Sequence, residues 1–161
     1  SIVLPGSVIS IGKLAFYASE IESIVLPDGL RSMPLGIFQQ CQNLTSVTLG
    51  SDCEALSDYC FDGCPLQHLY VNAVIPPVCQ SNTFSGARNI FADCILHVPA
   101  ESLPIYRNHS TWKLFQHIKI IEATSIWLSH LDVTAVPPHW NNSDIIVARL
   151  CQCGGTVIYY T

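Results

Sequence analysis

The 161-residue chain is 49% hydrophobic but only 12% charged, and its formal net charge is −5 at pH 7. That length allows one domain with a real core, while the acidic balance argues against nucleic acid or anionic lipid as a partner. The longest uninterrupted apolar run is a few residues, too short for a membrane-spanning segment.

The sequence starts on Ser1 directly inside a repeating unit, without an initiator methionine or signal peptide, and reads as a processed product or a piece of something longer. Residues 1–22, 23–45 and 46–67 are three clear repeats, and Phe16, Phe38, Phe61 and Phe84 recur at intervals of 22, 23 and 23 residues. A fixed period in this range marks a solenoid, whose units bury their apolar faces by stacking on their neighbours. Each unit opens with a short run that is a strand by composition: Ile2-Val3-Leu4, Ile24-Val25-Leu26, Val47-Thr48-Leu49. A turn follows at Pro5-Gly6, Pro27-Asp28-Gly29 or Gly50-Ser51-Asp52. A second apolar cluster then leads to the phenylalanine, with Val8, Ile11 and Leu14 in the first copy and Leu30, Met33 and Leu35 in the second. So few residues per leg suit a short irregular or 3-10 return rather than a long helix.

Strand side chains alternate between faces. With Ile2 and Leu4 turned inward, the core rows run Ile2, Ile24, Val47, Leu69 and Leu4, Leu26, Leu49, Val71. The outward row is then Val3, Val25, Thr48 and Tyr70. The fourth unit, from His68 to about Cys94, departs from the pattern at Ile75-Pro76-Pro77 and through Ser85-Gly86-Ala87-Arg88-Asn89. Leu96-His97-Val98-Pro99 reads as a fifth strand and extends the outward row to His97. Beyond it, Ala100-Glu101-Ser102 opens an amphipathic stretch with Tyr106, Trp112, Phe115 and Ile118, which suits a terminal cap over about 95–122. The solenoid thus spans 1–122. Residues 123–161 do not repeat; Asp144–Cys151 and Thr156–Tyr160 flank Gly154-Gly155 and read as a hairpin, with no role assigned.

Chemistry-bearing residues are scattered. Cys41 and Cys64 each fall three residues after a repeat phenylalanine, so they are expected to be unpaired, buried and adjacent in the stack. Cys53, Cys60, Cys79 and Cys94 occupy less regular positions and could pair, as could Cys151 and Cys153; spacing assigns no connectivity. Cys151-x-Cys153 near His139 is the best candidate metal site, but a lone short-spaced pair falls short of the four ligands zinc needs, and no metal or other cofactor is expected. No phosphate loop, nucleophile motif or paired-carboxylate motif appears, so no catalytic residue is assigned. Three glycosylation sequons stand at Asn43, Asn108 and Asn141 and are read as chance matches.

The run Leu44-Thr45-Ser46-Val47-Thr48-Leu49, continued through its turn to Cys60-Phe61-Asp62-Gly63-Cys64-Pro65-Leu66, resembles the BspA-type leucine-rich repeat. So does the ending: Ile75-Pro76-Pro77, Thr83-Phe84, Leu96-His97-Val98-Pro99, Tyr106, Trp112, Phe115 and Ile118. The resemblance covers about 1–122. It implies an α/β leucine-rich-repeat solenoid: a right-handed superhelix of short parallel strands stacked in one sheet, with irregular or 3-10 return legs and a C-terminal cap. It also implies surface or secreted proteins of gut and oral bacteria, some of them adhesins for host matrix or plasma proteins, and it transfers no catalytic or binding residues. The expected function is non-enzymatic, extracellular binding of a protein or glycan through the row Val25, Thr48, Tyr70 and His97, on the cell surface or as a secreted protein. A structural spacer in a larger surface protein is the alternative. The uncapped first repeat adds an expectation of self-association through its apolar end.

Overall fold

A computed structural model describes residues 1–121, together with the backbone of 149–150 and 157–158. The chain divides into two compact units, Ser1–Ala123 and Thr124–Thr161. In chain order the first unit holds β1 (Ile2–Val3), β2 (Ser23–Val25), β3 (Ser32–Met33), β4 (Ser46–Leu49), β5 (Ala55–Leu56) and β6 (His68–Val71). There follow β7 (Val78–Cys79), α1 (Ile90–Asp93), β8 (Ile95–Val98), a 3-10 turn at Ala100–Ser102, α2 (Leu103–Asn108), a 3-10 turn at Trp112–Leu114 and β9 (His117–Ile120). In the second unit, β10 (Arg149–Leu150) pairs antiparallel with β11 (Val157–Ile158), placing Arg149 opposite Ile158. Cys151, Cys153 and His139 lie outside the described residues.

The main sheet has the order β1-β2-β4-β6-β8-β9, and every neighbouring pair is parallel. Ile2, Ile24, Val47, Leu69, Leu96 and Ile118 occupy one register line, and from Ile24 to Leu96 they are at most 1% exposed. The turn after each strand closes in the same way: Val8 N–H donates to the Pro5 carbonyl, Leu30 to Pro27, and Cys53 to Gly50. Gly50 is required by this stacking, because a β-carbon there would overlap the Pro27 carbonyl of the rung below.

The return leg is more regular than its sequence suggests. β3, β5 and β7 form a second parallel sheet, with Ser32, Ala55 and Val78 on one line and Met33, Leu56 and Cys79 on the next. The reason is backbone satisfaction: buried N–H and C=O groups must be paired, and with equivalent rungs stacked the adjacent leg is the available partner. Pro76-Pro77, which broke the repeat pattern in sequence, leads straight into β7. Leu14 and Leu35 leave the expected core cluster and are 45% and 38% exposed. Leu14, Gly36 and Tyr59, each two residues before a repeat phenylalanine, have φ of 58°, 59° and 59°. This left-handed turn swings Leu14 outward, whereas Leu30 and Met33 stay buried.

The phenylalanines form a spine. Ring centroids are 5.7 Å apart for Phe16–Phe38, 6.0 Å for Phe38–Phe61 and 5.7 Å for Phe61–Phe84. Phe84 then meets Phe91, Trp112 and Phe115 edge-on, which ends the stack. The two large polar-tipped rings of the cap are buried with their polar atoms paired: the Tyr106 hydroxyl donates to the Ala73 carbonyl and the Trp112 indole N–H to that of Pro77, both at 2.8 Å. Ile118, expected in the amphipathic stretch, lies instead in β9, a sixth strand. At the opposite end Ile2, Leu4, Ile11, Phe16 and Ile21 are only partly buried.

The six described cysteines are all free thiols. Cys41 Sγ lies 2.8 Å from the Phe16 carbonyl, and Cys64 Sγ lies 3.0 Å from that of Phe38. Each thiol therefore donates to the phenylalanine of the preceding repeat. The facing Phe16 carbonyl would repel a thiolate, and Cys41 is fully buried; on that geometry Cys41 rests as a thiol. Cys64 is shifted up, first by the neighbouring Cys41 thiol and then by burial.

Candidate binding face

Parallel pairing brings the row expected from alternation into one line: Val3, Val25, Thr48, Tyr70 and His97 are register partners in succession, and β9 adds Lys119. Exposure falls along it, from 70% at Val3 and 38% at Val25 to half-buried Thr48, Tyr70 and His97. The smaller residues near β1 leave the sheet surface open, whereas the rings near β8 cover one another.

A second outward row lies beside the first: Ser23, Ser46, His68, Ile95 and His117. The same alternation implies it, because these residues stand two positions before the first row. Sequence reasoning followed a single row and so missed His68 and His117; Lys119 was missed because β9 was not anticipated.

His68, Tyr70 and His97 pack into one cluster. Tyr70 and His97 stack with ring centroids 4.1 Å apart and an 11° tilt, while Tyr70 and His68 are 6.2 Å apart. His68 Nδ1 approaches His97 Nε2 to 3.1 Å, so one imidazole donates to the other. Burial, then the positive charges of His68 and Lys119 on either side, hold the His97 imidazolium below the usual histidine range. Among the described residues no group of three or more His, Cys, Asp or Glu is placed to hold a metal ion.

Short parallel strands stacked at a repeat of 22 or 23 residues, a phenylalanine spine and a capped end define a leucine-rich-repeat solenoid with an open sheet face. The chain belongs to the BspA-type leucine-rich-repeat family: the family's BspA type Leucine rich repeat region matches residues 1–94 in six copies. Comparison with curated proteins finds no match. Members of this family are typically surface proteins and generally non-enzymatic, and leucine-rich-repeat domains generally mediate protein interactions. No helix among the described residues is long and apolar enough to cross a membrane.

Proposed function

We propose that this protein is a non-enzymatic binding or adhesion module, displayed extracellularly on the bacterial cell surface or secreted. It presents the sheet face bearing Val25, Thr48, Tyr70 and His97 to a protein or glycan ligand. The observation that carries this reading is the half-exposed line of side chains at strand spacing on a rigid stack, since solenoid faces of this kind are recurrent binding surfaces. Tyr70 is the anchor, combining broad apolar area with a polar tip. The family assignment supports the same reading.

The test is a screen of the purified chain against host matrix proteins and glycans, followed by substitution on the face. A Tyr70→Ala, Thr48→Glu double variant should weaken any ligand found by at least about tenfold, about 1.4 kcal/mol, and keep the wild-type circular dichroism spectrum. Unchanged affinity in the folded variant moves binding off this face. The partly exposed apolar rung at Ile2, Leu4 and Phe16 favours a second reading, a spacer whose end stacks on further repeats or on another copy. A screen without any ligand, together with concentration-dependent association of the chain, would support the spacer.

A further inference from the structure

The outward face changes character along the stack. β1 and β2 contribute Val3, Ser23 and Val25, whereas β6, β8 and β9 contribute His68, Tyr70, His97, His117 and Lys119. No strand of this sheet carries an Asp or Glu. The C-terminal half is therefore a basic and aromatic patch on a chain of net charge −5. His97 is faced by His68 and Tyr70 from β6 and by Lys119 and His117 from β9, while β4, on the other side of His68, presents only Ser46 and Thr48.

The histidine pair has a specific proton chemistry. At 3.1 Å the two facing nitrogens share one proton. A first added proton goes to an outer ring nitrogen and leaves that bond intact. A second must sit between the rings, setting N–H against N–H, and then needs an anion to bridge the two donors. A carboxylate offers two oxygens for this purpose. The Tyr70 ring has His97 stacked on it and His68 beside it, so it offers its hydroxyl edge rather than an open plane for a sugar to lie on. These features favour acidic side chains of a polypeptide over a glycan.

Building on the binding role of this face, we propose that the patch of His68, Tyr70, His97 and Lys119 takes a polypeptide segment bearing carboxylates, and that binding draws a proton onto the histidine pair. A ligand carboxylate opposes the influences that disfavour charge on His97, namely burial and the cations of His68 and Lys119. Its presence raises the histidine's proton affinity, and by linkage affinity for the carboxylate rises as pH falls through the histidine range.

The experiment uses the whole chain and two fluorescent peptides, one Glu-rich and one with every Glu replaced by Gln. Binding is measured by anisotropy at about pH 7.5 and about pH 5.5, where glutamate is still ionised. The Glu peptide should bind about tenfold or more tightly at the lower pH, lose affinity as salt rises, and outcompete its Gln counterpart. A His68→Gln, His97→Gln variant should lose the pH dependence. As a readout independent of any variant, the ring-proton titration of His97 in the wild-type chain should move upward when the Glu peptide is added. An absent Glu-peptide complex, equal affinity at the two pH values, or an unshifted His97 titration each overturns the proposal, as does tighter binding of hyaluronate than of the Glu peptide. If the peptide fails while a neutral ligand from the screen is still lost in the Tyr70→Ala, Thr48→Glu variant, the binding face stands and only its acidic specificity falls.

Discussion

Phe38 lies between the rings of Phe16 and Phe61 and is fully buried. Its replacement by alanine leaves a gap that the rigid rungs cannot close, so Phe38→Ala should cost about 3–5 kcal/mol in a urea or thermal unfolding measurement. A loss below about 1 kcal/mol would place the energetic core elsewhere. Cys41 and Cys64 work on the same rungs as small apolar fillers whose S–H also satisfies a phenylalanine carbonyl. Neither should react with a thiol reagent in the native state, and both should react once the chain is unfolded; rapid native labelling of both, or a disulfide at either, contradicts this arrangement. Burial also pushes Cys53, Cys60 and Cys94 up to about 12. A raised folded-state value means that the unfolded chain gives up its thiol protons first. Stability is therefore full below about pH 9 and declines as pH rises toward about 12. Thermal midpoints measured across that window should fall, and replacing Cys60 with alanine should flatten part of the decline.

At the scale of elements, the two narrow sheets divide the work. The β1-to-β9 sheet sets the face, and β3, β5 and β7 hold the return legs parallel to one another. The outer turns rest on close approach: Gly86 has φ of 73°, and a β-carbon there would collide with the Asp62 carboxylate of the preceding repeat. In the first unit Val3 is 70% and Ile9 is 74% exposed, and Ile2 and Leu4 are only partly buried. Sedimentation should show association that grows with concentration, and Ile2→Glu with Leu4→Glu should abolish it, because a charge on either residue would be desolvated in any stacked end. A wild-type chain that stays monomeric at high concentration removes self-association from this reading.

At the scale of the whole molecule, the repeat period alone was enough to indicate a stacked solenoid with a phenylalanine core. It is so because identical spacing puts identical side chains on the same rung, and each rung needs its neighbour to exclude water. Alternation likewise gave Val3, Val25, Thr48, Tyr70 and His97 a common face, since strand geometry fixes the side on which each residue stands. Tertiary structure decided the remainder. The second sheet exists because buried backbone groups on the return legs pair across repeats, a demand invisible in two-residue strands such as Ser32–Met33. Lys119 joins the face only because Trp112 and Phe115 close the core against Phe84 and set the chain down again as β9. The contact of His68 with His97 crosses 29 residues of sequence and lies diagonal to the strand register. Neither period nor alternation specifies such a diagonal; it arises where two rings lean toward each other across adjacent strands, and that contact gives the face its acid–base chemistry.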